Sequence, residues 1–404
     1  MYCRPMGRLL AQVGTLLVIT CSLSACASSG TSPSLSPEQS AEASPAASRG
    51  DCTLVVYPST IEAGGSSVVV GEGFPYGSDI TLTLQSPNGP QKVFTGTDLA
   101  ELKVTSGAGF AVQFNSEGAK AGDTIGLEAT DGSCVATASW TMASPGDLSS
   151  AGPSVPTACD GGRSPADRPD EVDGFQVHLV YALAADSEDR ESDITGDIAR
   201  AVGDANEWLT GQTGGSRFRF DTCGGGEVDV SFARLGATES FYVAARAWRL
   251  DVMARDLAAV GFDDPDKIYA VWWGGKGAHC GGEAPGESEP GAVVWLYARD
   301  LIGDDCQLLG GSPTSHVGLA LIHEIIHALG MVARCAPHTS DEDPTHVTEP
   351  ADLMNNDDAA VEDVVLDRDH DDYFDHDIAG CPDLADSVFL DPLPSNPVLP
   401  IGWE

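Results

Sequence analysis

The stretch HEIIHALG, residues 323–330, constrains the fold more than any other part of the sequence. His323 and His327 are four residues apart, which on an α-helix puts both imidazoles on one face, one turn apart. Glu324 lies beside them, and the apolar residues of the stretch, Ile325, Ile326 and Leu329, are suited to a buried helix face. Gly330 is a typical helix terminator. The stretch therefore predicts a buried helix that presents two imidazoles and a carboxylate together.

This set of side chains points to zinc chemistry. Zn²⁺ held by imidazoles lowers the pKa of its water to about 7 and polarises a carbonyl group. Glu324 would then act as general base, taking the proton of the water and passing it to the leaving amine. The alternative is a core helix with two chance histidines, but the chain has only 9 histidines, which makes the pattern rare by chance. We expect a Zn²⁺-dependent hydrolase of peptide bonds.

The same residues resemble a known family. HEIIHALG fits the HExxHxxG pattern of the metzincin zinc peptidases. ADLMNN, residues 351–356, resembles the Met-turn of that clan and would place Met354 under the metal. The pattern from His323 to Met354 is also similar to secreted zinc-peptidase-like proteins of high-GC bacteria. The resemblance implies an α+β peptidase domain, bound zinc, and a protein or peptide substrate.

Two departures from the family leave the third metal ligand open. The third metzincin histidine would fall at Ala333, and Asn356 replaces a tyrosine found in some members. Catalytic zinc usually takes three protein ligands and a water. We favour His346 in an enlarged loop, with His338 as the alternative. The further possibilities are a carboxylate and no third ligand at all; the two carboxylates considered are Asp352 and Glu349.

The N-terminus predicts export and lipidation. Residues 1–25 combine two early arginines with a short apolar run, which is typical of a signal peptide. The tetrad Leu-Ser-Ala-Cys ending at Cys26 resembles a bacterial lipobox, with a secretory peptide cut nearby as the alternative. Residues 26–49 are rich in Ser, Ala and Pro and predict a flexible tether. We expect a lipoprotein anchored through Cys26 on the extracellular face of the cell membrane.

Composition shifts divide the remaining chain. Residues 50–143 contain short β-branched runs separated by turn residues, which predicts a small Ig-like β-sandwich that acts as a spacer or adhesive module. Residues 144–158 predict a linker. Residues 159–404 mix strands with amphipathic helices, as an α+β zinc peptidase domain would.

Cysteine usage agrees with an oxidising compartment. Eight cysteines lie beyond Cys26, and no CxxC pair is present. An even number outside the cytoplasm predicts four disulfides rather than a metal-thiolate cluster. Cys52 and Cys134 lie near the two ends of the predicted β-sandwich and could pair across it. Local loop closure suggests the other pairings: Cys159–Cys223, Cys280–Cys306 and Cys335–Cys381.

The charge balance excludes one class of partner. With 61 acidic against 21 basic residues, the formal charge is −40, so the surface should repel nucleic acid. Asp367, Asp369 and Asp371 have the spacing of a calcium loop, but Asp372 and Ile378 stand where an EF-hand has Gly and Glu. We interpret this stretch as a solvated acidic loop, with a Ca²⁺ site as the alternative.

A second hypothesis belongs to a different class of protein. The departures at Ala333 and Asn356 also suit a cell-surface binding or adhesive lipoprotein with a degenerate, non-catalytic metalloprotease domain. The sequence predicts neither the cleavage preference nor the oligomeric state. Zinc content and peptide cleavage would separate the two hypotheses.

Overall fold

The architecture was analysed in a computed structural model. The structure describes these residues: 52–62, 64–85, 92–99, 102–104, 109–116, 119–144, 162–245, 248–276, 281–284, 288–297, 316–355 and 363–403. The predicted signal peptide, Cys26, the tether and most of the predicted linker lie outside this part of the chain. The described residues divide into two compact units, one up to residue 144 and the other containing most of those from 162 onward.

The described part of the first unit contains eight strands: β1 Thr53–Tyr57, β2 Thr60–Glu62, β3 Ser66–Glu72, β4 Thr81–Gln85, β5 Lys92–Phe94, β6 Gly109–Asn115, β7 Thr124–Thr130 and β8 Val135–Ala143. They form two sheets, ordered β1-β3-β6 and β2-β8-β7-β4-β5. Both sheets contribute to one core, in which Val69 and Phe114 meet Leu82 and Trp140. A disulfide joins Cys52 to Cys134, the pairing that the sequence predicts.

Among its described residues, the second unit has nine strands: β9 Gln176–Leu183, β10 Arg217–Phe218, β11 Thr222–Cys223, β12 Glu227–Val228, β13 Val230–Arg234, β14 Lys267–Trp273, β15 Gly281–Glu283, β16 Val293–Tyr297 and β17 Leu390–Asp391. Four of them are parallel in a five-stranded sheet ordered β13-β9-β14-β16-β15, and β15 is antiparallel at its edge. β9 and β14 are buried along their whole length, as their continuous apolar sequences require in a parallel sheet.

Four helices accompany this sheet: α1 Asp197–Thr213, α2 Glu239–Ala244, α3 Arg249–Ala259 and α4 His316–Ala328. α1 and α4 share one core with the sheet, where Leu209 and Ile326 pack with Leu179 of β9. Tyr242 of α2 contacts Trp273 of β14, with ring centroids 5.3 Å apart. α4 therefore lies against the sheet, with β15 and β16 as its neighbours.

The segment after α4 is mostly irregular and contains short 3₁₀ turns at Arg368–His370 and Leu384–Asp386. A disulfide joins Cys335 to Cys381, again a pairing that the sequence predicts. Cys223 is also disulfide-bonded. The predicted partner Cys159 and the predicted pair Cys280–Cys306 lie outside the described residues.

The observed disulfides indicate an extracellular, oxidising environment. Within the described residues, no helix combines the length and the apolar character that crossing a membrane requires.

Candidate metal centre

Helix α4 positions two of the predicted ligands. Its apolar residues, among them Ile322, Ile325 and Ile326, are almost fully buried and fix the helix in the core. This leaves His323 and His327 one turn apart on the same face, with their Nε2 atoms 2.9 Å from each other.

Gly330 ends this helix in the left-handed region, at φ 64°. Its N–H donates to the carbonyl of His327, and the N–H of Met331 donates to that of Ile326. This pair of bonds is a Schellman motif, which favours glycine because a side chain is strained at positive φ. The predicted role of Gly330 as helix terminator is confirmed, and the chain turns back from this point.

The loop after the turn brings His346 to the other two histidines. Its Nε2 lies 3.2 Å from Nε2 of His327, and one nitrogen from each of the three histidines lies within 4.8 Å of the others. A short hairpin holds this position, with a bridge between Thr339 and Val347. His346 is 3% exposed, so the cluster is closed to solvent from this side.

The outer ring nitrogens of two of these histidines have partners of their own. Nδ1 of His323 lies 2.7 Å from the carbonyl oxygen of Leu353, and Nδ1 of His346 lies 3.1 Å from Oδ2 of Asp343. A proton on Nδ1 suits both contacts, with a carbonyl oxygen at His323 and a carboxylate at His346, and this tautomer leaves each Nε2 with a lone pair towards the centre. Such outer partners are typical of metal-binding histidines.

The cluster fits a zinc ion for three reasons. Three imidazole nitrogens converge. A single proton on Nε2 of His327 could bond to the lone pair of His323 Nε2 or to that of His346 Nε2, but not to both, so one lone pair would lack a partner without a metal ion. The Nε2 separations of 2.9 and 3.2 Å are close to the ligand spacing of about 3.3 Å that tetrahedral Zn–N bonds of about 2.0–2.1 Å give. Burial lowers the pKa of His323 to about 4 and that of His327 well below its usual value, so both are neutral.

Glu324 directly follows His323 on α4, and it is 7% exposed. Burial, together with the charge of Glu283, raises the pKa of its carboxyl to about 8. A divalent cation held by the neighbouring histidines acts in the opposite direction and favours the carboxylate. Strand β15 covers this side chain so closely that a Cβ on Gly282 would lie 2.4 Å from Cγ of Glu324.

Met354 is fully buried after the loop, as expected for a residue under the cluster. Its N–H donates to Oδ1 of Asp352 over 2.7 Å, and its carbonyl accepts from Val347. The preceding carbonyl, of Leu353, is the one that orients His323. Asn356, where the sequence departs from some metzincins, lies outside the described residues.

The structure places the alternative ligands elsewhere. His338 faces Asp372, with Nδ1 3.1 Å from Oδ2, and Glu349 lies beside this pair. Asp352 accepts hydrogen bonds from Met354 N–H, Arg368 N–H and the hydroxyl of Tyr373. None of these three residues joins the histidine cluster.

The interpretation of 367–377 as a solvated acidic loop is wrong for two of its carboxylates, Asp367 and Asp372, which are buried. Asp367 is 1% exposed and accepts N–H bonds from Asp372, Tyr373 and Phe374. Asp369 and Asp371 remain more open. The carboxylate spacing reflects a turn organised around one buried aspartate, because the backbone N–H groups of a tight turn need an acceptor.

Sequence reasoning missed Asp343, which orients His346. An acid three residues before a histidine in the turn DPTH was the available signal for Asp343. For Tyr373 the sequence favours a structural role over donation to a reaction oxyanion, and its buried hydroxyl joins Asp352 to Asp367. These two partners are 6 and 21 residues away, and no local pattern identifies them.

Comparisons with known proteins add little. No family model matches the chain, and no curated protein matches it. Among solved structures, it is similar to a cell-surface-expressed multi-modular chitinase, ChiW, from Paenibacillus sp. str. FPU-7, at 13% identity and a TM-score of 0.18. That match covers 58% of this chain and 18% of the chitinase. A likeness this low supports no conclusion about fold or activity.

Proposed function

We propose that this protein is an exported, zinc-dependent metalloendopeptidase. The observation that carries the proposal is the convergence of Nε2 atoms from His323, His327 and His346 beside the buried carboxyl of Glu324. Three histidines plus one open position is a ligand set of catalytic zinc rather than of structural zinc, which is usually closed by four protein ligands.

Each side chain has a distinct part in the reaction. Zinc, when bound, polarises the peptide carbonyl and activates a water for attack. Glu324 accepts the proton of that water and delivers it to the leaving amine. Asp343 and the carbonyl of Leu353 keep two imidazoles in the tautomer that offers Nε2 to the metal. The apolar packing of α4 and the cover of β15 hold Glu324 in one orientation.

We also propose the metzincin-like assignment for the second unit. HEIIHALG, the turn at Gly330 and the buried Met354 support it. The third ligand comes 19 residues after His327, so the loop is longer than the motif of that clan requires. Hairpin pairing and the Cys335–Cys381 disulfide hold this longer loop in place.

The N-terminal part has a supporting role in this proposal. A lipid on Cys26 would anchor the chain to the membrane, and the first unit, as an Ig-like spacer, would hold the peptidase away from it. The substrate is a protein or peptide outside the cytoplasm.

The test combines zinc content with cleavage. Purified chain from residue 26 should contain zinc and cleave a broad peptide library, and a chelator should abolish cleavage. Glu324→Gln should retain zinc and lose at least about 100-fold of kcat. Glu207→Gln, a matched change at an exposed position of α1, should leave both unchanged. Zinc-free protein without cleavage would favour a cell-surface binding lipoprotein instead.

A further inference from the structure

A second group of metal-binding side chains lies apart from the three histidines. It consists of His338, Glu349, Asp371 and Asp372, each with one ligand atom within 4.8 Å of the others. From Nδ1 of His338, the distances are 3.1 Å to Oδ2 of Asp372, 3.7 Å to Oδ1 of Asp371 and 3.8 Å to Oε2 of Glu349. It shares no residue with the histidine cluster.

Two of these oxygens lack a hydrogen-bond partner. Oε2 of Glu349 and Oδ1 of Asp371 are shielded from solvent and accept no hydrogen bond. A buried carboxylate oxygen without a partner is costly, and each such case in a folded protein calls for an explanation such as an ion. Asp372 is itself fully buried. The two orphaned oxygens therefore point to a ligand that the protein chain does not supply.

The charge of the group leads to the same conclusion. Among the described residues, the ion pairs of these three carboxylates are with His338 alone, and no lysine or arginine joins them. Three carboxylates facing one imidazole leave an excess of negative charge that a divalent cation would neutralise.

We propose that His338, Glu349, Asp371 and Asp372 form a second zinc site. Tetrahedral Zn–N and Zn–O bonds of about 2.0–2.2 Å place neighbouring ligands about 3.3–3.6 Å apart. The measured distances of 3.1 to 3.8 Å bracket that value. The imidazole favours zinc over calcium, which takes six to eight oxygen ligands. His338 is 38% exposed, which gives an ion a path from solvent.

The place of this site in the fold suggests what the ion does. His338 and Glu349 flank the hairpin that carries His346, and Asp371 and Asp372 belong to the following segment. Within the hairpin, Thr348 N–H donates to the carbonyl of His338 and Ser340 N–H donates to that of His346. A second ion would tie the base of this hairpin to the C-terminal segment and so fix the third ligand of the first site.

An ordinary cluster of ion pairs around a protonated His338 is the competing explanation. The two accounts differ at Asp371, whose side chain is 45% exposed and whose Oδ1 has no hydrogen-bond donor. If the site binds an ion, Asp371→Asn weakens zinc binding and relieves repulsion in the metal-free protein. If Asp371 serves only as a partner for His338, the same change destabilises the protein whether or not zinc is present.

The experiment uses the full chain from residue 26, stripped of metal by chelation and titrated with Zn²⁺ by calorimetry at pH 7.5. The wild-type protein should bind one additional zinc ion per chain compared with Asp371→Asn. If both proteins bind this ion, the affinity of wild type should be higher by more than about tenfold. The metal-free melting temperature of Asp371→Asn should lie within about 2 °C of wild type or above it. The rise that zinc causes should be smaller in the variant.

Two further variants complete the design. Glu349→Gln should reproduce the loss of the same ion, and Asp375→Asn, an equal charge change at a side chain that is 73% exposed, should bind zinc like wild type. Equal zinc stoichiometry and affinity in wild type and Asp371→Asn would overturn the proposal, as would a fall of more than about 2 °C in the metal-free melting temperature of the variant. The comparison counts a difference between variants, so it does not depend on zinc at the three histidines.

Discussion

Gly282 is the position where a single methyl group tests the geometry of the proposed active site. It lies on β15, next to Glu324 of α4. A Cβ at 282 would be 2.4 Å from Cγ, 2.6 Å from Oε1 and 2.8 Å from Cδ of that glutamate. Ordinary contacts begin near 3.4 Å, so Gly282→Ala has to separate the two residues by about 1 Å.

A shift of this size has a definite expected effect. Misplacement of a catalytic group by about 1 Å costs about 100-fold in rate, which corresponds to about 2.7 kcal/mol in the activation free energy. The three atoms nearest to the new methyl group all belong to Glu324 and none to a histidine, so zinc binding should persist. We expect Gly282→Ala to lower kcat/KM about 100-fold while its zinc content stays at the wild-type value.

The assay is peptide cleavage with zinc measured by mass spectrometry on the same sample. Gly126→Ala is the matched control, because it is also a strand glycine and its Cβ would meet only Gln85 Cβ at 3.8 Å. This control should keep full activity. A Gly282→Ala protein that is folded, zinc-loaded and fully active would refute the role given to Glu324.

Three further predictions concern the segment after α4. Tyr373→Phe removes a hydroxyl that donates to Asp352 and accepts from Asp367 N–H, each over 2.9 Å, so urea unfolding should show a loss of about 3 kcal/mol; an unchanged stability would contradict it. Burial raises the pKa of Asp352 to about 6, so the folded state binds more protons than the unfolded state between about pH 4 and 6. The free energy of unfolding should therefore fall by up to about 3 kcal/mol as the pH rises through that window. The variant Asp352→Asn should lose this pH dependence. Replacing Cys335 and Cys381 by serine opens a loop of 46 residues and should cost about 4 kcal/mol by thermal unfolding; a change below about 1 kcal/mol would count against a structural role.

Local patterns predicted several elements of the second unit well. The apolar run FQVHLVYAL predicts a strand, and β9 spans Gln176–Leu183. The spacing of His323 and His327 predicts their shared helix face, because helix geometry is set by neighbouring residues. Among the described residues, helix α4 spans His316–Ala328, which includes both histidines. The stretch from Ser240 to Gly261 predicts one helix, but the structure has α2 and α3 there.

Contacts between distant residues were harder to predict. The sequence favours His346 as third ligand, but this residue lies 19 positions along the chain from His327, and no periodic pattern specifies the path between the two. Asp367 was interpreted as solvated because its neighbours are acidic. Its burial follows from the backbone N–H groups of residues 372–374, which only the folded turn brings together. Strongly polar sequence therefore did not mean exposed side chains at this site.

Anomalous diffraction at the zinc edge, from crystals of the exported chain, tests the central claim most directly. The account predicts a peak about 2.1 Å from the Nε2 atoms of His323, His327 and His346, with Glu324 beside it and no bond from His338 to this ion. The absence of a peak among these three histidines, or a metal there that does not contact His346, would contradict it.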